Sequence, residues 1–418
     1  MIVFSLVLLV LAILGAPLFA IIAASAMIGF FSIEEDLINV AIEFMRMEQL
    51  QFLSAIPFFT FAGYLLSESN APQRLVRMTQ AILGWMPGGL ALVCLVTCAF
   101  FTAFTGASGV TIIALGAILY PALAQDGYPD KFNLGLVTTS GSLGLLFAPS
   151  LPLILYGVVA EVSIDDLFKA GLIPGLLMIV MLSVWCIWIS RKSRQVLKPY
   201  STKELVAAVR ESIWEIPLPF VVLGSVYSGF LAVSEAAAVT VVYVFIVEVL
   251  ILREVKFTEL PRIVRESMLL VGAILLILGL SLASTNYTIL AGVPQTLFEM
   301  LSSVVTSQTT FLILLLLFLL ALGAILDIFS AIVLVVPLLL PVAELYDVST
   351  IHLGIIFLAA MQLGYMTPPV GLNLFIASYR FEKPIMQVYS ATFPFLVILM
   401  ASVILIAFWP SLSLWLVE

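Results

Sequence analysis

Long apolar stretches alternate with short polar ones along the whole chain. Phe4 to Phe31, Gly171 to Ser190, Ala232 to Leu252, Ser267 to Ser284 and Met386 to Trp409 each reach or approach the roughly 20 residues a helix needs to cross a hydrocarbon core. Polar positions within them follow no two-residue alternation, so the pattern predicts a bundle of helices and not a barrel. Two stretches interrupt it. Leu143-Gly144-Leu145-Leu146-Phe147-Ala148-Pro149-Ser150-Leu151-Pro152 returns 220 residues later as Leu363-Gly364-Tyr365-Met366-Thr367-Pro368-Pro369-Val370-Gly371-Leu372-Asn373. Proline and glycine leave main-chain groups without helical partners, and lipid supplies none. Such breaks persist in a membrane only where they line a cavity or hold an ion.

Composition narrows the class. With 63% hydrophobic and 10% charged residues, the chain lies far from the roughly one-quarter charged composition of soluble domains, and it reads as an integral membrane protein. The net charge of −8 is spread over short loops, which excludes a nucleic-acid partner. Cys94, Cys98 and Cys186 fall in apolar segments and His352 is the only histidine, so no metal set has ligand spacing and the cysteines are expected to pack in the core. The first apolar run is too long for a signal-peptide core and lacks a basic start, and is expected to be a retained span. There is no Gly-Lys-Ser/Thr phosphate loop and no nucleophile, base and acid set in register. An enzyme is not expected, nor a cofactor, and any transport has to draw on an ion gradient or a partner.

Lys and Arg mark the cytoplasmic loops. Arg191, Lys192, Arg194, Lys198, Lys203 and Arg210 form the densest cluster, and Arg74, Arg77, Lys131, Arg253, Lys256, Arg262, Arg265, Arg380 and Lys383 fall on the same side by counting spans. The acidic loop Glu34 to Glu48 is then outside, the N-terminus cytoplasmic and the C-terminus periplasmic. Glu161, Asp165, Asp166, Glu235 and Glu248 lie towards span ends and are expected to be solvated. Ala71-Pro72-Gln73-Arg74-Leu75-Val76-Arg77-Met78 resembles Val293-Pro294-Gln295-Thr296-Leu297-Phe298-Glu299-Met300, yet only the first carries arginines. One element therefore sits on opposite membrane faces in the two halves. Gly106 to Pro121 aligns with Leu326 to Pro341, and Gly135 falls near Gly354. The chain is expected to divide into two inverted repeats, 1–212 and 213–418, with the site between them near the midplane.

The apolar stretch at about 87–124 leaves and returns on one side, so it is expected to be a re-entrant hairpin with its tip at Thr105 to Thr111. A second hairpin follows at about 309–341, its tip near Ile325 to Ser330. Each should face the broken helix of its own repeat, at about 132–165 and 351–378. Unwound carbonyls with Ser, Thr and Asn oxygens suit a hard monovalent cation such as sodium, and half-helix N-termini suit a carboxylate. The candidate substrate and ion site groups Gly106, Ser108, Thr111, Ser140, Ser142, Pro149 and Ser150 in one half with Asp327, Ser330, Thr367, Pro368, Gly371 and Asn373 in the other. Ser108, Ser142, Asp327, Thr367 and Asn373 are the sodium candidates. Asp327 is the one acid inside a predicted hairpin; it could bind a cation, carry a proton or cap a half-helix.

With these residues the chain resembles the large membrane subunit of tripartite ATP-independent periplasmic (TRAP) transporters, within the wider ion transporter superfamily. The similarity is strongest at Phe101 to Pro121, Leu143 to Gly175, Asp327 to Pro341 and Gly364 to Ser378. The tip Gly106-Ala107-Ser108-Gly109 and the run Phe147-Ala148-Pro149 depart from the more usual Gly-Ser-Ser and Pro-Pro patterns. The resemblance implies an all-α polytopic inverted-repeat fold with two re-entrant hairpins and two broken helices, working as an elevator in the bacterial inner membrane. It implies sodium-driven import of a small organic acid such as a dicarboxylate, sialic acid or another sugar acid. It also implies two partners: a small membrane subunit of about four helices, expected as a separate polypeptide, and a soluble periplasmic substrate-binding protein. A stand-alone sodium/carboxylate symporter of the same superfamily is the alternative reading, and a structural or channel subunit a further one.

Overall fold

The computed structural model describes residues 7, 8, 10, 11, 14, 16–50, 53–191, 200–228, 230–293, 296 and 305–417. Among them every regular element is helical: α1 (Leu18–Ser32), α2 (Ile38–Arg46), α3 (Ala55–Glu68), α4 (Ala71–Leu83), α5 (Gly89–Thr105), α6 (Ser108–Ala114), α7 (Gly116–Gln125), α8 (Asp130–Ser140), α9 (Leu151–Val159) and α10 (Ile164–Ser190). There follow α11 (Thr202–Glu211), α12 (Pro217–Tyr227), α13 (Val233–Phe245), α14 (Leu260–Leu290), α15 (Gln308–Gly323), α16 (Ile328–Leu345), α17 (Thr350–Gly364), α18 (Leu372–Arg380), α19 (Ile385–Phe408) and α20 (Ser411–Leu414). Five of these, α10, α13 with the wide π turn Ile246–Ile251 that continues it, α14, α16 and α19, are long and apolar enough to cross a membrane. The chain is a multi-pass membrane protein. Of the predicted elements, Lys192, Arg194 and Lys198, the segment 294–295 and 297–300 that echoes the start of α4, and most of the first span before α1 lie outside the described residues.

The repeat is visible in element boundaries. α6 starts at Ser108 and α16 at Ile328; α8 starts at Asp130 and α17 at Thr350. α5 with α6–α7, and α15 with α16, form the two helical hairpins. α8 with α9, and α17 with α18, form the two broken helices, the first bent by 43°. The hairpins differ in one respect: α6 and α7 meet at a 50° bend beside Leu115, whereas α16 continues through Pro337 and Pro341 as one helix.

Packing exchanges elements between the halves. α1 packs on α14 and α3 on α13, so the outer helices are interleaved across the repeats. In the inner layer α9 lies on α16 and α18 lies on α6, so each half-helix also leans on the hairpin of the opposite repeat. The sequence predicts that each hairpin tip faces the broken helix of its own repeat. The tips do meet it, through the contact of α5 with Leu143–Leu146 and of α15 with α17, but the cross-repeat contact is added to it.

Glu248 departs from the sequence-based expectation of a solvated acid. It is 1% exposed, in the π turn, and its carboxylate lies 3.3 Å from the guanidinium of Arg74. The partner is 174 residues away in sequence, which local hydropathy cannot register. Glu161 and Glu235 are exposed and Asp165 and Asp166 half-buried, as expected of span ends. Cys94, Cys98 and Cys186 are all buried in the core as free thiols.

Candidate functional site

The two hairpin tips and the two helix breaks converge, and the side chains at their junction decide what the junction can hold. At the first tip α5 ends on Gly106, whose φ of +64° is the left-handed conformation that glycine adopts without penalty. A Cβ there would lie 2.6 Å from the Leu151 side chain, so the tip is seated on the first residue of α9. α6 then starts without a capping side chain, because Ala107 occupies the N-cap. Ser108 donates its hydroxyl to Oδ1 of Asn373 at 2.7 Å, linking the first hairpin to the second broken helix. Both residues are buried, and Nδ2 of Asn373 has no hydrogen-bond partner.

Thr111 is turned to its own hairpin: its hydroxyl is 2.6 Å from that of Thr102, which donates to the Gly141 carbonyl at 2.9 Å. Ser140 donates back to the Leu136 carbonyl at 2.6 Å, and Ser142 to that of Thr139 at 3.4 Å. These are the local bonds by which hydroxyls in a helix commonly satisfy themselves. Ser150, the N-cap of α9, is fully buried with no partner for its hydroxyl. Pro149 precedes it in a cis peptide with Ala148, and the second break contains the corresponding cis bond between Pro368 and Pro369.

The second tip is built differently. Asp327 caps α16: Oδ1 accepts the amides of Phe329 and Ser330 at 3.0 Å each, and Oδ2 accepts the Ser330 hydroxyl. The remaining free amide of that turn, on Ile328, donates to the hydroxyl of Tyr365 at 2.6 Å. Of the three roles open to Asp327 in the sequence, capping is therefore the contact it makes here. The second tip is tied to its own break through the main chain as well. The Gly371 amide donates to the Ala324 carbonyl at 3.1 Å, and Gly323 and Gly364 are in backbone contact. Gly371, at φ +52°, turns the chain into α18. Thr367 bonds back to the Leu363 carbonyl at 3.0 Å and is half-buried, while Pro368 is exposed beside it.

Two clusters result. Gly106, Ser108, Ser150 and Asn373 surround the first tip, with Thr111 and Ser142 bonded just behind it. Asp327, Ser330 and Gly371 surround the second. Asn373 joins them, since its side chain binds Ser108 and its amide donates to the Tyr365 carbonyl at 3.1 Å. Tyr365 was not singled out from the sequence, but a signal existed. At the 220-residue offset it replaces Leu145 just as Asp327 replaces Ala107, and these two departures from the repeat act together on one helix N-terminus. That N-terminus is filled by the chain's own groups, whereas the one at the first tip is left with bare amides beside an amide nitrogen and a hydroxyl that lack partners. Polar groups buried in this way call for a polar guest.

The family described as the DctM component of the tripartite ATP-independent periplasmic transporters matches residues 3–412 of the chain. The chain is 32% identical to the C4-dicarboxylate TRAP transporter large permease protein DctM of Pseudomonas aeruginosa, over 90% of this chain and 88% of that protein. It is 28% identical to the ectoine TRAP transporter large permease protein TeaC of Halomonas elongata, covering 97% of this chain and 96% of the other. Among solved structures, the YdaH transporter of Alcanivorax borkumensis superimposes with a TM-score of 0.57 at 11% identity, covering 89% of this chain and 87% of that one. That likeness extends to the fold. With the whole site region inside the matched span, this chain belongs to the DctM family of TRAP transporter large permease subunits and is not an enzyme.

Proposed function

We propose that this permease subunit imports a small organic acid, coupled to sodium, as part of a tripartite system in the bacterial inner membrane. The observation that carries the reading is the first-tip cluster: uncapped amides at Ser108, a buried Asn373 amide nitrogen and Ser150 hydroxyl without partners, and the hydroxyls of Thr111 and Ser142 close by. Amide and hydroxyl donors suit a carboxylate, and main-chain, Ser, Thr and Asn oxygens suit a hard cation. Ser108, Ser142, Asp327, Thr367 and Asn373 are the sodium ligands we propose, with carbonyls freed at Pro149 and Pro368. Capping of α16 by Asp327 is compatible with this, because a carboxylate in a cap retains lone pairs for a cation.

The partners are a small membrane subunit and a soluble periplasmic protein that delivers the acid. The relatives named for C4-dicarboxylates and ectoine show how varied the cargo of such permeases is, and a site lined by main chain selects carboxylates as a class. The two repeats are taken as inverted, with the arginine-bearing α4 inside, the N-terminus cytoplasmic and the C-terminus periplasmic. In this reading the hairpins and broken helices move together as an elevator against the outer helices.

Reconstitution of the chain in liposomes with its small subunit should give sodium-gradient-dependent uptake only when loaded binding protein is added. Uptake by the chain alone would favour the stand-alone symporter. Non-saturable flux without counterflow would indicate a pore. Asp327→Asn preserves most of the cap and is expected to weaken the sodium response more than the fold. Asp327→Ala removes the cap too, at about 1 kcal/mol. A sodium titration and a melting curve for both variants separate these effects, and an unchanged sodium response in Asp327→Asn removes the residue from the ion site.

A further inference from the structure

Away from the tips, where α4 joins the outer helices, one arginine is surrounded by three carboxylates. Arg74 donates from Nε to Oε1 of Glu215 at 2.6 Å, from Nη1 to Oε1 of Glu254, and from Nη2 to the two oxygens of Glu248 at 3.3 and 3.4 Å. Glu215 lies in the turn before α12, Glu248 in the π turn after α13, and Glu254 in the connection to α14.

The other charges nearby are occupied elsewhere. On α4, Arg77 pairs with Glu204 and Glu211 at the surface. From α3 and α14, Glu68 and Glu266 share Arg262, also at the surface. Tyr243 of α13 donates to the Trp214 carbonyl, and Arg253 and Lys256 are exposed. Beside Glu215, α5 presents Phe100, Phe101 and Phe104, and α12 presents Leu218. One positive charge therefore faces three carboxylates in a site where Arg74, Glu215 and Glu248 are each at least nine-tenths buried.

The carboxylates are not equivalent. Glu254 is partly exposed, and its second oxygen accepts the Asn70 amide at 2.8 Å. Burial works against its ionisation, but the Asn70 amide and Arg74 prevail and hold it below the usual carboxylate range. Both oxygens of Glu248 face the guanidinium, but at 3.3 and 3.4 Å, the longest contacts in the cluster. Oε2 of Glu215 is buried with no hydrogen-bond donor. Glu215 lines a void of about 10 Å³ walled by Leu66, Leu75, Phe100, Phe101, Phe104 and Leu218, which is no larger than the minimum for a single water and has no polar wall to hold one. A negative oxygen in such a place lacks both donor and solvent.

We propose that this joint is a proton-binding site in which the two buried carboxylates, Glu215 with its donor-less Oε2 and Glu248 with the longer contacts to Arg74, hold one proton between them. The proton comes from water and returns to it when the joint opens. Burial pushes the Glu215 carboxyl above its ordinary value of 4.5, with Arg74 pulling the other way. Because α4 connects α3 to the first hairpin, the bound proton fastens the root of that hairpin to the outer helices.

The sign of the effect follows from the raised value. The stabilisation is complete below the ordinary carboxylate range and is lost as pH rises through the raised one. Thermal unfolding of the purified chain in nanodiscs, between about pH 5 and pH 9, reads it out. In the window where the Glu215–Glu248 pair titrates, one linked proton shifts the unfolding equilibrium by up to about tenfold per pH unit. Glu215→Gln and Glu248→Gln, each of which copies the neutral acid and leaves one buried carboxylate for Arg74, should both remove that slope and keep the low-pH stability, whereas Glu254→Gln should keep the slope. A slope unchanged in both Glu215→Gln and Glu248→Gln, or one lost in Glu254→Gln, overturns the assignment. Infrared spectra give a reading independent of how the variants fold: a wild type without a protonated-carboxyl band at neutral pH overturns it too.

Discussion

Gly364→Ala is expected to reduce uptake to background and to lower stability by about 1–3 kcal/mol. A Cβ on Gly364 would lie 2.4 Å from the Gly323 Cα and 2.6 Å from the Gly323 carbonyl carbon. Both are main-chain atoms and neither can rotate away, so α15 and α17 must separate. The Gly371–Ala324 hydrogen bond, which ties the second tip to its break, would lengthen with them. The reverse substitution is milder, because a Cβ on Gly323 would meet the nearest atom, the Gly364 Cα, at 3.0 Å. The order of damage, Gly364→Ala worse than Gly323→Ala, is thus fixed by geometry and is checked by uptake and melting temperature in parallel. Wild-type uptake in Gly364→Ala would mean that the tip does not need this seat.

Asn373→Ala is expected to lower apparent sodium affinity by about 10–100-fold, the usual effect of losing a group that orients ion ligands. The side chain accepts from Ser108 across the repeats, and its nitrogen is one of the unpartnered donors at the first tip. Removing it separates α18 from α6 and takes away an oxygen at once. Ser108→Ala should act in the same direction and less strongly, and the double variant should lose less than the sum of the two, since part of each loss is their shared bond. Sodium titrations of uptake at fixed substrate measure all three; strictly additive losses would show that the residues act separately.

What the sequence discloses is governed by distance along the chain. The breaks are legible because proline and glycine interrupt an apolar run locally, and Pro149 and Pro368 stand where the helices stop. The first hairpin is legible because the small-residue run Thr105 to Thr111 interrupts an apolar stretch locally, and α5 and α6 meet there. Pairings across the repeats are not legible. Nothing in the surroundings of Glu248 announces Arg74, and nothing around Ser108 announces Asn373, 265 positions on. Serines and threonines inside helices are ambiguous for another reason: the same hydroxyl can bond to its own backbone, as in Ser140 and Thr367, or be left without a partner, as in Ser150. Tyr365 was accessible only by comparing the repeats position by position, where its departure from Leu145 coincides in space with that of Asp327 from Ala107.

The interleaving of the outer helices has a consequence for biosynthesis. α3 ends at Glu68, but α13, against which it packs, begins at Val233, and α1 awaits α14, which begins at Leu260. At about 5–20 residues per second, the ribosome needs on the order of ten seconds or more to supply those missing surfaces. Throughout that interval the nascent first half has its partner-seeking faces turned to lipid or to insertion machinery. Cleaving the gene between the halves should therefore yield fragments that are stable only when produced together.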